Sequence, residues 1–186
     1  EFVASELGFP KISSNSMDAV SDRDYLVDFP AAAATCMMHL SRLSEEMVVW
    51  SSSEFGFIRM AKEFTTASSI MPQKRNPDGM ELVRGKAGVL SALSVWTKNV
   101  VRSLPTGYNR DVQETKEPMM RALDTTLDML GVVTRTAGSV TVNGKRLAES
   151  FSAELLATDE VFKRVEEGAS FRDAYREVAG NLEGLS

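Results

Sequence analysis

Residues 76–103 read NPDGMELVRGKAGVLSALSVWTKNVVRS. Asn76 is a favoured helix N-cap and Pro77 a favoured first helical residue. Asp78 and Glu81 then fall in or near the first turn, where the helix dipole favours carboxylates. Val83, Ala87, Leu90 and Leu93 recur on one face. Gly85, Ala87, Gly88 and Ala92 permit a neighbouring helix to approach closely. The pattern predicts one helix from Asn76-Pro77 to about Ser103, roughly 40 Å long at 1.5 Å per residue. A helix of that length belongs in a bundle.

The flanks repeat the theme. Phe29 to Ser52 is helical in pattern, and the run Ala31 to Ala34 favours helix locally. Its Cys36, Leu40, Leu43, Met47 and Trp50 are spaced as a heptad seam, expected to pack on a long, nearly parallel neighbour. Downstream, Leu104 to Asn109 is a turn with Pro105 and Gly107, and a further helix is predicted from Lys116 to Gly138. Its predicted apolar stripe is Met120, Leu123, Leu127 and Leu130. Asn143-Gly144 signals a turn. Short helices are predicted at Thr158–Glu167 and Ser170–Leu182, with Ser170 and Asp173 resembling a capping box. Glu1 to Asp24 looks like an ordered loop leading into a helix, and strand-like alternation is nearly absent. The predicted fold class is all-α: a long-helix bundle over residues 1–150, then part of a smaller helical C-terminal domain over 151–186.

Composition narrows the class. The chain has 186 residues, 43% hydrophobic and 25% charged, enough for a sizeable core. A net charge of -5 argues against a dedicated nucleic-acid binder. No run of about 18 apolar residues is present, so no membrane span is expected. The single cysteine, Cys36, makes no internal disulfide and belongs to no metal-ligand cluster, which suits a reducing cytoplasm. No signal peptide is visible, and the opening at Glu1, without methionine, suggests that the natural start lies further upstream.

Between the first two long helices lies the stretch that carries chemistry, Ser68-Ser69-Ile70-Met71-Pro72-Gln73-Lys74-Arg75-Asn76-Pro77. Two serines precede a proline-stiffened turn, two cations and an amide, and the stretch ends at a helix N-terminus, where free N–H groups attract anions. A serine hydroxyl is a weak base unless cations and N–H groups stabilise its alkoxide. On composition alone a solvated, serine-rich surface loop is the favoured reading of these residues. Too few glycines occur for a P-loop.

The string Ser68-Ser69-x-Met71-Pro72-x-Lys74-x-Asn76-Pro77 resembles the signature of the fumarase/aspartase superfamily. The flanks resemble its argininosuccinate lyase family. These are Gln73, Asp78 and Glu81-Leu82-Val83-Arg84; Asn15-Ser16-Met17-Asp18-Ala19-Val20-Ser21-Asp22-Arg23-Asp24; His39-Leu40-Ser41-Arg42; Leu104-Pro105-x-x-Tyr108-Asn109-Arg110-Asp111-x-Gln113-Glu114-x-Lys116-Glu117; Leu156-Ala157-Thr158-Asp159; and Phe171-Arg172. The likeness spans nearly the whole chain. Two positions depart from it: Ala67 stands where glycine is usual, which is expected to tighten the loop, and Arg110 where lysine is also common.

The resemblance implies β-elimination of argininosuccinate to L-arginine and fumarate, with no metal or organic cofactor. It implies Ser68 as the base, Lys74 stabilising the carbanion, and Glu81 orienting an imidazole supplied from elsewhere. Asn76, Tyr108, Gln113 and Lys116 are implied to bind substrate, with Arg23 a weaker structural or carboxylate-binding candidate. His39 lies within the heptad pattern, expected to be packed or capping, and its setting does not match the family's catalytic histidine. The histidine motif and a Ser-Arg-Asn segment are not found in this chain. Its expected activity alone is therefore low or nil. The family builds each site from three subunits of a homotetramer. Two alternatives stay open: an adenylosuccinate lyase, and a non-catalytic, crystallin-like relative.

Overall fold

A computed structural model describes residues 1–182. In chain order the elements are α1 (Phe2–Glu6), α2 (Ser16–Ser21), α3 (Asp24–Trp50), β1 (Ile58–Arg59), β2 (Thr66–Ala67), β3 (Arg75–Asn76), α4 (Asp78–Val101), α5 (Lys116–Ser139), β4 (Thr141–Val142), α6 (Gly144–Glu149), α7 (Ala157–Glu166) and α8 (Phe171–Ala179). Short 3₁₀ turns occupy Lys62–Phe64, Arg110–Thr115 and Ala153–Leu156.

The predicted long helices are present, with ends shifted by a few residues. Asp78 and Glu81 do lie in the first turn of α4, but Pro77 is its N-cap, and Asn76 lies one step outside, in β3. The second short helix starts at Phe171, and Ser170 caps it by accepting the Asp173 N–H at 3.2 Å. The segment read as a leading loop contains α1 and α2; Asn15 caps α2 by accepting the N–H groups of Met17 and Asp18. Asn143, read as a turn, is the N-cap of α6.

Helices α3, α4 and α5 pack mutually as an up-down-up bundle. Antiparallel packing of α3 on α4 is marked by an ion pair between Glu45, late in α3, and Arg84, early in α4. The core joins Ala33, Met37 and Met47 of α3 to Met80, Val83, Leu90 and Leu93 of α4 and Ala122 and Val133 of α5. Buried threonines hydrogen-bond their own helix: Thr97 Oγ1 donates to the Leu93 carbonyl at 3.0 Å, and Thr126 Oγ1 to that of Ala122. A threonine satisfied in this way can sit in an apolar seam without an orphaned hydroxyl.

The α4 stripe is buried as predicted, apart from half-buried Ala87. The other two stripes differ. In α3 the inward set is Ala33, Met37, Ser44 and Met47, with Leu40 half-buried; Cys36, Leu43 and Trp50 lie on the exposed side. In α5 the inward set is Pro118, Ala122, Thr126, Val133 and Thr136, while Met120, Leu127 and Leu130 are exposed, Leu127 by 60%. In α5 the inward face carries the smaller Ala122, Thr126 and Thr136 and the larger Met120, Leu127 and Leu130 lie outside; in α3 Met37 and Met47 stay inside, and the buried face is turned by one residue, Met37 and Ser44 taking the place of Cys36 and Leu43.

The two ends of the bundle are finished differently. At the end where α3 stops and α4 starts, β1 pairs antiparallel with β4, Ile58 opposite Val142. Asn143 reinforces this closure, its N–H donating to the Phe57 carbonyl at 2.8 Å. The Arg146 guanidinium ties α6 to the same loop through the carbonyls of Phe55 (3.0 Å) and Glu54 (2.9 Å). At the other end α3 begins, α4 stops, and the 3₁₀ turn leads into α5. Helices α7 and α8 bury a separate small core of Val161, Ala174 and Val178, bridged by Arg164 to Glu160 (3.2 Å) and Glu177 (2.7 Å).

Candidate active site

The serine-rich stretch folds as a β-hairpin. β2 pairs antiparallel with β3, Thr66 opposite Asn76 and Ala67 opposite Arg75. Ala67 thus has extended backbone and needs no glycine; among the described residues only glycines have positive φ. At the hairpin mouth the Ser68 N–H donates to the Lys74 carbonyl at 3.4 Å, and the Lys74 N–H donates to the Met71 carbonyl at 3.0 Å.

Within this loop the Ser68 hydroxyl oxygen accepts two backbone N–H groups, from Ile70 at 3.3 Å and Met71 at 3.1 Å. Both donors stabilise negative charge on that oxygen, since hydrogen bonds to a charged form favour it. Ser68 is half-buried, Lys74 is exposed on the same hairpin, and Asn76 is half-buried in β3. Glu81 is exposed in the first turn of α4. The motif suggested cations and backbone N–H groups, those of the helix terminus among them, as the source of stabilisation. It gave no sign of the Ile70 and Met71 N–H groups, because backbone donors carry no residue signature.

A second group assembles around the turn before α5. Arg23, Tyr108, Gln113 and Lys116 line one cavity of about 460 Å³, together with Tyr25 and Met119. Gly107 adopts φ +98°, a conformation that favours glycine, and the Asn109 side chain closes the turn on the carbonyls of Pro105 (2.8 Å) and Gly107 (3.2 Å). The Gln113 amide donates to the Tyr108 phenol oxygen at 3.4 Å. That hydrogen bond is the main cause holding the Tyr108 pKa below its ordinary value, helped by Arg110 and by the charge of Lys116, against a smaller opposing effect of burial. Arg23 donates to the carbonyls of Val20 (2.9 Å) and Asp22 (2.5 Å), which fixes its guanidinium at the cavity edge. Tyr25, two positions after Arg23, had only that proximity as a sequence signal.

The two groups are far apart. The hairpin leads into the start of α4, and the Tyr108 turn follows its end. Between them lies a helix of 24 residues, about 36 Å long at 1.5 Å per residue. One copy of the chain therefore does not bring Ser68 and Tyr108 together on one small molecule. His39, expected to be packed or capping, instead lies exposed on α3 and lines neither group. Among the described residues no cluster of His, Cys, Asp and Glu is placed to hold a metal ion, and no helix is long and apolar enough to cross a membrane.

Comparison with known proteins places this arrangement. A family model described as lyase matches residues 1–91. The argininosuccinate lyase of Symbiobacterium thermophilum is 49% identical over 181 residues, covering 97% of this chain and 39% of that protein. The argininosuccinate lyase of Schizosaccharomyces pombe is 43% identical over 175 residues, covering 94% of this chain and 38% of that protein. The crystal structure of EDDS lyase in complex with formate superimposes with a TM-score of 0.78 at 26% identity, over 93% of this chain and 35% of that one. The bundle of long helices is the all-α fold of the fumarase/aspartase superfamily. Within them, the chain belongs to the argininosuccinate lyase family. It spans about two fifths of the length of these relatives (39% and 38%).

Proposed function

We propose that the protein containing this chain is an argininosuccinate lyase, cleaving argininosuccinate to L-arginine and fumarate. The observation that carries the reading is the Ser68 oxygen, held by the N–H groups of Ile70 and Met71 in a loop that also bears Lys74. Ser68 takes the proton from the carbon beside a substrate carboxylate. The electron pair left behind spreads into that carboxylate, where Lys74 stabilises it and Asn76 donates a hydrogen bond. The pair then re-forms as the carbon–carbon double bond of fumarate while the bond to the guanidino nitrogen breaks. The leaving nitrogen takes a proton from an imidazole oriented by Glu81. Tyr108, Gln113, Lys116 and Arg23 hold the substrate by hydrogen bonds and charge.

The roughly 36 Å between the two groups supports sites shared among subunits, and we propose a homotetramer with three subunits contributing to each site. The separate core of α7 and α8 supports reading residues 151–186 as the beginning of a second domain, the last four lying outside the described residues. The lone, unpaired Cys36 fits a cytoplasmic protein.

The test is a coupled assay of the full-length protein with argininosuccinate and, separately, adenylosuccinate. Turnover of argininosuccinate, lost in Ser68→Ala with assembly intact, is the expected result. Turnover of adenylosuccinate alone, or full activity in Ser68→Ala, overturns it.

A further inference from the structure

Neighbouring residues of a strand point to opposite faces. Along the returning arm of the hairpin, Gln73, Arg75 and Pro77 line a cavity of about 420 Å³, whereas Lys74 and Asn76, between them, do not. The cavity thus lies behind the face that carries Lys74 and Asn76. Arg59 of β1 and Lys62 of the following 3₁₀ turn line the same space, with Ser51 and Thr65.

Three cations therefore line one cavity, and no carboxylate does. None of the three has an ion-pair partner among the described residues, whereas Arg84, Arg121, Lys145 and Arg164 are paired. The chain as a whole carries a net charge of -5, so the acid-free lining runs against its composition. Like charges gathered on one concave surface repel each other and focus a positive potential into it. A multivalent anion relieves that repulsion, and Arg, Lys and amide donors supply the hydrogen bonds that oxyanions accept.

We propose that this cavity binds a small multivalent oxyanion, of the phosphate or di- and tricarboxylate class, and that the bound anion steadies the reactive hairpin from behind through Arg75. Binding itself does not depend on the lyase reading; the link to the reaction does.

The experiment is calorimetric titration of the full-length protein with inorganic phosphate and, separately, with citrate, at constant ionic strength. Saturable binding of either anion is expected, and the better ligand identifies the source. Arg59→Gln/Lys62→Gln should weaken it by roughly tenfold or more, equivalent to about 1.4 kcal/mol. The charge-conserving Arg59→Lys/Lys62→Arg should retain it, which separates loss of charge from loss of fold. No saturable binding of either anion overturns the proposal. So does binding indifferent to the loss of both charges, the signature of an anion in the substrate site. Hydrogen exchange at the Ser68 and Lys74 amides, which close the hairpin mouth, should slow with bound anion in the wild type only; unchanged exchange removes the coupling. Lyase turnover of the double glutamine variant without added anion should match wild type, so failure here is distinguishable from failure of the proposed reaction.

Discussion

Complementation between two inactive variants tests the division of the site most directly. Ser68 precedes α4 and Lys116 opens α5, beyond the far end of α4. The 24 residues of α4 separate them by about 36 Å, several times the reach of one substrate. Ser68→Ala removes the base, and Lys116→Ala removes a cation of the second group. Each homomeric variant should lose activity by roughly a hundredfold or more, the scale of one acid–base or electrostatic group. Both proteins co-expressed in equal amounts give mixed assemblies. A site that draws its hairpin from one subunit and its Lys116 from another is intact when both donors are unmutated at the relevant position. Random assembly of the closed oligomer makes that probability about one half times one half, so about a quarter of wild-type activity should return. A site drawn from one chain has no intact combination, and nothing should return. The assay is the ultraviolet absorbance of fumarate, on mixtures whose composition is verified by mass spectrometry. Well-mixed oligomers without recovered activity would refute the geometric argument.

Three further outcomes follow from the same structure. Met80 is fully buried in the first turn of α4, so Met80→Ala should cost about 2–5 kcal/mol per chain by chemical denaturation of the full-length protein; a change below 1 kcal/mol would mean that the site is not packed as described. Leu127 is 60% exposed in the single chain, so Leu127→Asp should leave helix content unchanged yet break the assembly in light scattering; an intact oligomer would show that this stripe faces solvent. Tyr108 should ionise below an ordinary phenol when phenolate absorbance is followed against a Tyr108→Phe control; because the largest cause is the Gln113 hydrogen bond, Gln113→Leu should move the transition to higher pH, and an unmoved transition would remove Gln113 as the cause.

Much of the fold is legible in sequence because long helices punctuate themselves. Pro77 and the carboxylates after it mark where α4 begins, and Pro105 and Gly107 mark the turn beyond its end. The short α1 and α2 are not legible: each is about one turn, too brief for a periodicity to show. The hairpin is hidden for a similar reason, since β2 and β3 are two residues each and pair through backbone groups common to every residue. Of the candidate site, the resemblance names candidate residues one by one, and their grouping in space is not legible. Ser68 and Tyr108 stand 40 positions apart, and only the straightness of α4 turns that into opposite ends of a bundle.

The misread stripes and the divided site have one physical origin. A heptad seam in α3 and a leucine stripe in α5 each state that a helix face is to be covered, without saying by which chain. Within one copy the cover goes to Met37 and Met47 of α3 and to the smaller Ala122 and Thr126 of α5, while Leu43, Trp50 and Leu127 fall on the uncovered faces. The larger residues remain outside as a long apolar surface of the kind that marks an interaction site. We propose that a second copy covers this surface and, with the helices antiparallel across the contact, brings one chain's hairpin end within reach of another chain's Tyr108 end. On this reasoning assembly and catalysis are one requirement. Leu127→Asp should therefore abolish turnover as completely as Ser68→Ala, although residue 127 lines neither half of the site.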